Sequence, residues 1–352
     1  MKKTTVTILI PAHDEAECII DTLSSILSQT RKPDLVVVVD DFSKDGTGDL
    51  IAENFHQVVI LRPEANLGSK AKAQNFGLMY KLGREYLIST DVVITIDADT
   101  TLRANALAAM VAEFDRDLDL QAACGTVIPA NPDNPYTLGR LGEYLFAFAL
   151  PKQIQQLYGG KIYIVSGCFG CYRTDKLRGR GGWHTTTMAE DMDLTADYQA
   201  RGWKVAYIKD AICYPIEPFN WHTYKSQMRR WSSAFFQNIS LHWRDYISHE
   251  FGFFLWVSYL DAGVGGIIFL LLPVFALILG WEKIFWGFLI GDVLGVTIPV
   301  LWMGYKLGIT KLAISTIPYV FFLRLLNIYF WFEAMVKEWI MHTHLNVYVK
   351  GH

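Results

Sequence analysis

Val92-Val93-Ile94-Thr95-Ile96-Asp97-Ala98-Asp99 decides the fold. A continuous β-branched run that stops at two carboxylates reads as a strand buried in a sheet, ending at a polar edge. The same signal recurs upstream. Thr5–Ile10 is β-branched and apolar, and Leu35–Val39 is an apolar run closing on Asp40-Asp41. Val58–Leu61 is a further short strand. Between them lie helical segments: Glu15–Ser28, with Ile19, Leu23, Ile26 and Leu27 on one face, a helix opened by the turn Asp45-Gly46-Thr47, and Lys70–Leu82. Leu102–Asp115 is the next helix. Strands alternating with helices predict an α/β fold, a mainly parallel sheet with helices on both faces. Ligands of such sheets sit beyond the carboxyl ends of the strands, where Asp40, Asp41, Asp97 and Asp99 fall.

The chain has 352 residues, of which 51% are hydrophobic, and the excess is concentrated after Phe251. The net charge is −3, from 32 basic and 35 acidic residues, with no basic run of the kind that binds nucleic acid. Five cysteines, an odd number without a framework of spacings, suit a reducing, cytosol-facing catalytic region. Met1-Lys2-Lys3 precedes an apolar stretch too short for a signal peptide, cut off by Pro11-Ala12-His13-Asp14-Glu15. The expected division is a catalytic domain over residues 1–218, an interfacial region over 219–250 and a transmembrane region over 251–352.

Phe253–Gly280, Ile284–Met303 and Leu312–Phe332 are each long enough to cross roughly 30 Å of hydrocarbon. Buried helices of a soluble core are the alternative. Lys306 and Lys311 place their loop on the cytosolic side, and three spans then put His352 on the other. Asp292 and Arg324 lie inside predicted spans, either as an ion pair between helices or along a polar path for a saccharide. Tyr136–Tyr158 carries a stripe of Leu138, Leu141, Tyr144, Leu145, Phe148 and Leu150 that suits either a core or a membrane interface. Trp221–Tyr246 mixes aromatic and basic residues, as the headgroup layer favours.

Asp97 and Asp99 offer hard oxygen ligands at a strand end. A Mg²⁺ or Mn²⁺ held there could bridge the phosphate oxygens of a nucleotide-sugar and stabilise the departing diphosphate. Asp40 and Asp41 can accept from a uracil N–H or ribose hydroxyls, or cap a turn with Ser43, Asp45, Gly46 and Thr47. Lys70 either contacts the diphosphate or is solvated. Glu190-Asp191 can supply a base for an attacking hydroxyl, with Asp191 the candidate, or cap the helix Met192–Ala200. Gln227 and Trp231 share a helical face with Arg230 beside them: an indole for a sugar ring and a guanidinium for phosphate, or simply an aromatic belt. Cys168-Phe169-Gly170-Cys171 lacks the second ligand pair of a zinc site, and Ser166-Gly167 before it reads as a tight turn.

On these residues the chain resembles the membrane-bound, processive family 2 glycosyltransferases, which include cellulose, chitin, hyaluronan and poly-N-acetylglucosamine synthases. The resemblance implies a GT-A fold followed by interfacial helices and a C-terminal transmembrane helix bundle. It implies inverting transfer from a UDP-sugar to the end of a growing β-linked polysaccharide, at the plasma (inner) membrane with the catalytic domain in the cytosol. Asp40, Asp41, Glu15, Lys70 and Asp97 would serve the nucleotide, and Asp97 and Asp99 the Mg²⁺ or Mn²⁺. Asp191, with Glu190, would be catalytic. Ser166, Gly167, Gln227, Arg230 and Trp231 would hold the diphosphate and the glycan acceptor. Phe42 stands where the family usually has Gly, Ser69 lengthens the family's Asn-X-Gly-Lys pattern, and the N-terminal spans of the larger synthases are missing. That leaves open a short product, or a homo-oligomer that completes a channel. Two other readings are single-sugar transfer to a polyprenyl-phosphate lipid, and a non-catalytic membrane transporter or scaffold with a nucleotide-binding domain.

Overall fold

The computed structural model describes residues 3–345, so the expectation for His352 lies outside the described residues. Residues 3–130 with 156–216 form one compact unit, and 131–155 with 217–345 form a second. The strands are β1 (Val6–Ala12), β2 (Leu35–Asp40), β3 (Val59–Leu61), β4 (Lys81–Leu82), β5 (Glu85–Tyr86), β6 (Val92–Ile96), β7 (Thr100–Leu102), β8 (Leu120–Val127), β9 (Phe169–Arg173) and β10 (Lys204–Pro215). The helices of the first unit include α1 (Ile19–Leu27), α2 (Thr47–Asn54), α3 (Lys70–Met79) and α4 (Ala106–Arg116). Next come α5 (Pro135–Glu143) and α6 (Leu150–Leu157), joined by the π-helical stretch Tyr144–Ala149, then α7 (Thr174–Arg180) and α8 (Glu190–Ala200). The C-terminal helices are α9 (Trp221–Ser248), α10 (Phe251–Leu260), α11 (Gly266–Ile278), α12 (Glu282–Lys306) and α13 (Thr310–Met335).

The first unit is built on a mixed sheet of order β3-β2-β1-β6-β9-β8-β10-β7. Strands β3, β2, β1 and β6 are mutually parallel, with Ile8 of β1 opposite Val36 of β2 and Ile94 of β6. Strand β9 runs antiparallel between β6 and β8, and β7 antiparallel on the β10 edge. The central strands are fully buried, as the apolar runs require: Ile8, Leu9, Val37, Val38, Val93 and Ile94 have no exposed surface. Strand β9 carries Cys171 into this core. Three helices are shorter than their patterns suggest, the first being the expected Glu15–Ser28 helix, which spans Ile19–Leu27. The expected Lys70–Leu82 helix ends at Met79, because Lys81–Leu82 pairs with Glu85–Tyr86 around Gly83, whose φ of 66° suits glycine. The expected Leu102–Asp115 helix begins at Ala106, because Thr100–Leu102 pairs with β10.

In the second unit, α5 lies against α13 closely enough that a Cβ on Gly142 would meet Val320 Cγ2 at 1.9 Å. The Tyr136–Tyr158 stripe, placed by its sequence position among residues 1–218, therefore packs with the C-terminal helices, burying Leu141, Tyr144 and Leu145. Among the described residues, three helical stretches are long and apolar enough to cross a membrane: Phe251–Ile278, Glu282–Lys306 and Thr310–Ile340. Their apolar windows are only 17%, 11% and 28% buried, which suits lipid-facing helices better than a soluble core. Within them Arg324 pairs with Asp292 and lies over the Phe269 ring at 4.4 Å. The observed arrangement is an ion pair between helices.

Candidate active site

The chain builds β1, β2 and β3 outward and then returns to place β6 on the other side of β1. That reversal makes the carboxyl ends of β1 and β6 a topological switch point, the usual ligand position in such sheets. Asp97 leaves β6 there. Thr22 of α1 donates to the Ala98 carbonyl at 2.8 Å, and Thr100 Oγ1 to Asp99 Oδ1 at 3.1 Å, so the Asp-Ala-Asp segment is held from both sides.

Ser69 caps α3, its hydroxyl accepting from the Lys72 amide at 3.3 Å. The inserted serine thus starts the helix and leaves Lys70 as its first residue. Lys70 Nζ pairs with Asp97, lies 3.6 Å from Glu190 Oε1 and donates to the Gly167 carbonyl at 3.3 Å. Gly167 in turn donates its amide to Asp191 Oδ2 at 2.8 Å. A Cβ on Gly167 would stand 3.1 Å from that oxygen and 3.2 Å from Lys70 Nζ, so only glycine fits without displacement. Thr195, one turn along α8, donates to the Asp191 carbonyl at 2.6 Å and accepts from the Val165 amide at 2.8 Å. It fixes α8 against the Ser166-Gly167 turn. Glu190 and Asp191 are the first residues of α8 rather than residues before it.

These contacts shift the charges. Burial works against the Lys70 ammonium, but Asp97 and Glu190 outweigh it and hold its pKa well above the lysine range. Burial raises Glu190, Lys70 pulls it back and Asp191 repels it, leaving it above the ordinary glutamate value. The donor set fits a hard divalent cation. Mg²⁺ sites use one or two carboxylates and complete their shell with phosphate oxygens and water, and Asp97, with its side chain 32% exposed, stands one residue from Asp99. Among the described residues no three His, Cys, Asp or Glu side chains form an all-protein cage, so the fit is to an ion shared with a ligand.

At the ends of β1 and β2, Asp40 is buried, accepting from the Ser43 amide at 3.2 Å and pairing with Arg62 at 3.1 Å. Asp41 Oδ1 accepts from the Leu67 amide at 2.7 Å, and burial raises its pKa despite that bond. The Asp41 carbonyl accepts from His13 Nδ1 at 2.7 Å and from Asn66 at 3.2 Å. Glu15 accepts from the Cys18 thiol and is tied through its amide to Thr47. His13, Asn66, Arg62 and Thr195 were not singled out by the sequence reading; only Asn66, through Asn66-Leu67-Gly68, carried a local signal.

Gln227, Arg230 and Trp231 belong to the second unit, on α9. The Arg140 guanidinium lies over the Trp231 ring at 4.6 Å, and Phe148 meets its edge. Arg140 is itself bound by Glu143 at 2.6 Å and Glu217 at 3.0 Å, all three buried. Glu143 also accepts from Asn327 of α13. This network was missed, although Arg140 and Glu143 stand one turn apart on the greasy stripe.

Residues 7–181 match the family model described as glycosyl transferase family 2. The chain is 28% identical over 234 residues to a poly-beta-1,6-N-acetyl-D-glucosamine synthase from Staphylococcus aureus, a match covering 65% of this chain and 54% of the relative. It is 27% identical over 233 residues to the Staphylococcus epidermidis synthase of the same description, again covering 65% of this chain and 54% of the relative. The chain thus spans about half the length of the curated relatives it matches. Among solved structures, a mannosyltransferase from Pyrobaculum calidifontis, in complex with GDP-Man and Mn²⁺, superposes with a TM-score of 0.60 at 18% identity, covering 96% of this chain and 88% of that one. S. aureus TarS 1-349 gives a TM-score of 0.51 at 15% identity, covering 89% and 90%. These two likenesses establish the fold, a GT-A-like mixed sheet followed by a helical region. Residues 7–181, which run from β1 through α7, are thus a glycosyl transferase family 2 domain.

Proposed function

We propose that this chain is an inverting, metal-dependent glycosyltransferase that moves an N-acetylhexosamine or related hexose from a UDP-sugar to the end of a β-linked glycan. In this reading residues 1–218 hold most of the catalytic machinery, and the three apolar helices anchor it in the plasma membrane with its active face in the cytosol. The observation that carries the reading is the junction at Lys70, where Asp97, Glu190 and the Gly167 carbonyl meet one ammonium at the ligand end of the sheet. The poly-N-acetylglucosamine synthase relatives support the sugar class and the polymer.

Asp97 and Asp99 would hold Mg²⁺ or Mn²⁺, which when bound supplies Lewis-acid stabilisation to a departing diphosphate. Lys70 adds a fixed positive charge beside the same position. Asp191 would take the proton from the acceptor hydroxyl as it attacks the anomeric carbon, its carboxylate oriented by the Gly167 and Met192 amides. Asp40, Asp41 and Glu15 would serve the nucleoside. Ser166, Gly167, Gln227, Arg230 and Trp231 would serve the diphosphate and the acceptor end.

The test is incubation of the purified full chain with a panel of labelled UDP-sugars in Mg²⁺ or Mn²⁺, with product sizing. A ladder of products supports polymerisation. A single solvent-extractable glycolipid transfers the assignment to lipid-linked single addition, and no turnover with any donor by folded protein removes the enzymatic reading.

A further inference from the structure

We propose that Phe42 is the base-stacking residue of the donor site: its ring lies against the nucleobase of a nucleoside diphosphate sugar. The proposal rests on the nucleotide-sugar reading of the first unit and deepens it.

Outside the C-terminal end, two non-glycine residues among those described have left-handed backbones, Asp14 with φ 55° and Phe42 with φ 64°. They occupy neighbouring loops, one just after β1 and one just after β2, at the ligand end of the sheet. The loops are bonded to each other: the Asp14 amide donates to Ser43 Oγ at 3.0 Å, and the Lys44 amide to Asp14 Oδ1 at 2.7 Å. For an Asp this conformation is tolerable, because its short polar side chain can take a hydrogen bond, as Asp14 does from the Lys44 amide. For a Phe it is an outlier. The Phe42 side chain has no polar atom with which to bond, and at 48% exposure it gains little burial in return. Its amide closes a tight turn onto the Asp40 carbonyl at 2.8 Å, so the loop holds the ring out rather than folding it in.

Strain that packing does not explain gathers where a ligand is to be met. What surrounds Phe42 fits a base. The adjoining Asp41 carries a buried carboxylate, and its carbonyl gathers the His13 imidazole and the Asn66 amide. A flat apolar face beside polar groups able to meet a ring edge is how proteins recognise an unstacked base.

The experiment uses the full chain in detergent, with Mn²⁺, and measures UDP, GDP, ADP and inorganic pyrophosphate binding by calorimetry. Phe42→Gly is expected to raise the Kd for UDP by at least about fivefold, the lower end of an aromatic–base stack. It should weaken GDP and ADP binding as well, leave pyrophosphate binding unchanged, and keep or raise the melting temperature. Phe42→Tyr should restore UDP binding. Saturation-transfer NMR on UDP should show the uracil protons close to an aromatic ring in the parent protein and not in Phe42→Gly. UDP binding within twofold of the parent in Phe42→Gly overturns the proposal, as does an equal loss of UDP and pyrophosphate binding, which would mark a loop-supporting role. A parent protein that binds no nucleoside diphosphate overturns the donor-site reading itself, and the stacking role with it.

Discussion

The backbone amide of Gly167 donates to Asp191 Oδ2 at 2.8 Å. The bond joins the turn ahead of β9 to the first turn of α8, and a Cβ at residue 167 would press on both the Asp191 carboxylate at 3.1 Å and the Lys70 ammonium at 3.2 Å. Gly167→Ala should therefore displace the Asp191 carboxylate or the Lys70 ammonium by a few tenths of an ångström. A misplacement of about 1 Å can cost about a hundredfold in rate, so a shift of a few tenths is expected to cost about tenfold. The expected outcome is a fall of at least about tenfold in kcat, with an unchanged melting temperature and UDP affinity. Parent-like turnover would mean that the Gly167–Asp191 contact does not position the reaction.

Asp191→Asn separates catalysis from scaffolding. Each Asp191 oxygen accepts a backbone N–H, from Gly167 and from Met192, both at 2.8 Å. An amide can keep one of these bonds and cannot take a proton from a hydroxyl. Turnover is expected to fall by about a hundredfold or more, while UDP binding stays close to that of the parent. Full retention of the cellular role with Asn at this position would favour a scaffold.

How much of this site could be read from the sequence follows from where each residue gets its neighbours. Asp40, Asp41, Asp97 and Asp99 end apolar runs, so periodicity alone put them at the ligand edge, and the sheet β2-β1-β6 has that arrangement. Strand β9 was illegible because Phe169–Arg173 is short, holds a glycine and an arginine, and is identified only by lying between β6 and β8. The Lys70 junction was legible as residues but not as a contact. Gly167 is 97 positions from Lys70, and only the antiparallel insertion of β9 beside β6 brings them together. The helix Pro135–Glu143 was visible as an amphipathic stripe, whereas its partner α13 lies far along the chain and no local pattern names it.

Metal dependence is expected to reside in the two carboxylates that follow β6. Asp97→Ala and Asp99→Ala should each abolish turnover and remove any response to added Mn²⁺ or Mg²⁺. Asp97→Ala has a second consequence: it takes away the first counter-charge of Lys70, leaving Glu190 as the nearer carboxylate. The two variants should thus differ in stability, with Asp97→Ala the lower melting of the pair. Equal parent activity in excess chelator and in Mn²⁺ would sink the metal assignment.

The Arg140 network makes a prediction about stability with a defined pH sign. Arg140, Glu143 and Glu217 are each nearly or fully buried, and Arg140→Met would strand two carboxylates. Breaking a buried pair by removing one partner costs about 3–5 kcal/mol. The triple variant Arg140→Met, Glu143→Gln, Glu217→Gln should recover much of that loss, because it leaves no uncompensated charge. Burial already raises Glu143 above its ordinary 4.5, against the opposing pull of Arg140. In Arg140→Met the pull is gone, so the folded form binds a proton that the unfolded chain has released. The loss should shrink as pH falls towards the unfolded glutamate value and grow as pH rises above it. Melting curves across that range check the sign, and a pH-independent loss would place the damage in packing around Trp231 instead.

Asp292 and Arg324 pair between α12 and α13 inside two of the apolar helices. A lone charge at that depth is expensive, whereas a pair facing another helix is tolerated. If the pair is structural, Asp292→Asn or Arg324→Gln alone should lower the yield of folded membrane protein, since each leaves the opposite charge unmatched. The double variant should restore yield, because both charges have gone. If instead the two groups line a path for a saccharide, the double variant should fold and still fail to deliver product across the membrane. Measuring folded yield and exported product for the two single variants and the double variant separates the cases. The Phe269 ring against the Arg324 guanidinium favours the structural outcome, because it covers a face of the cation that a polar path would leave to water.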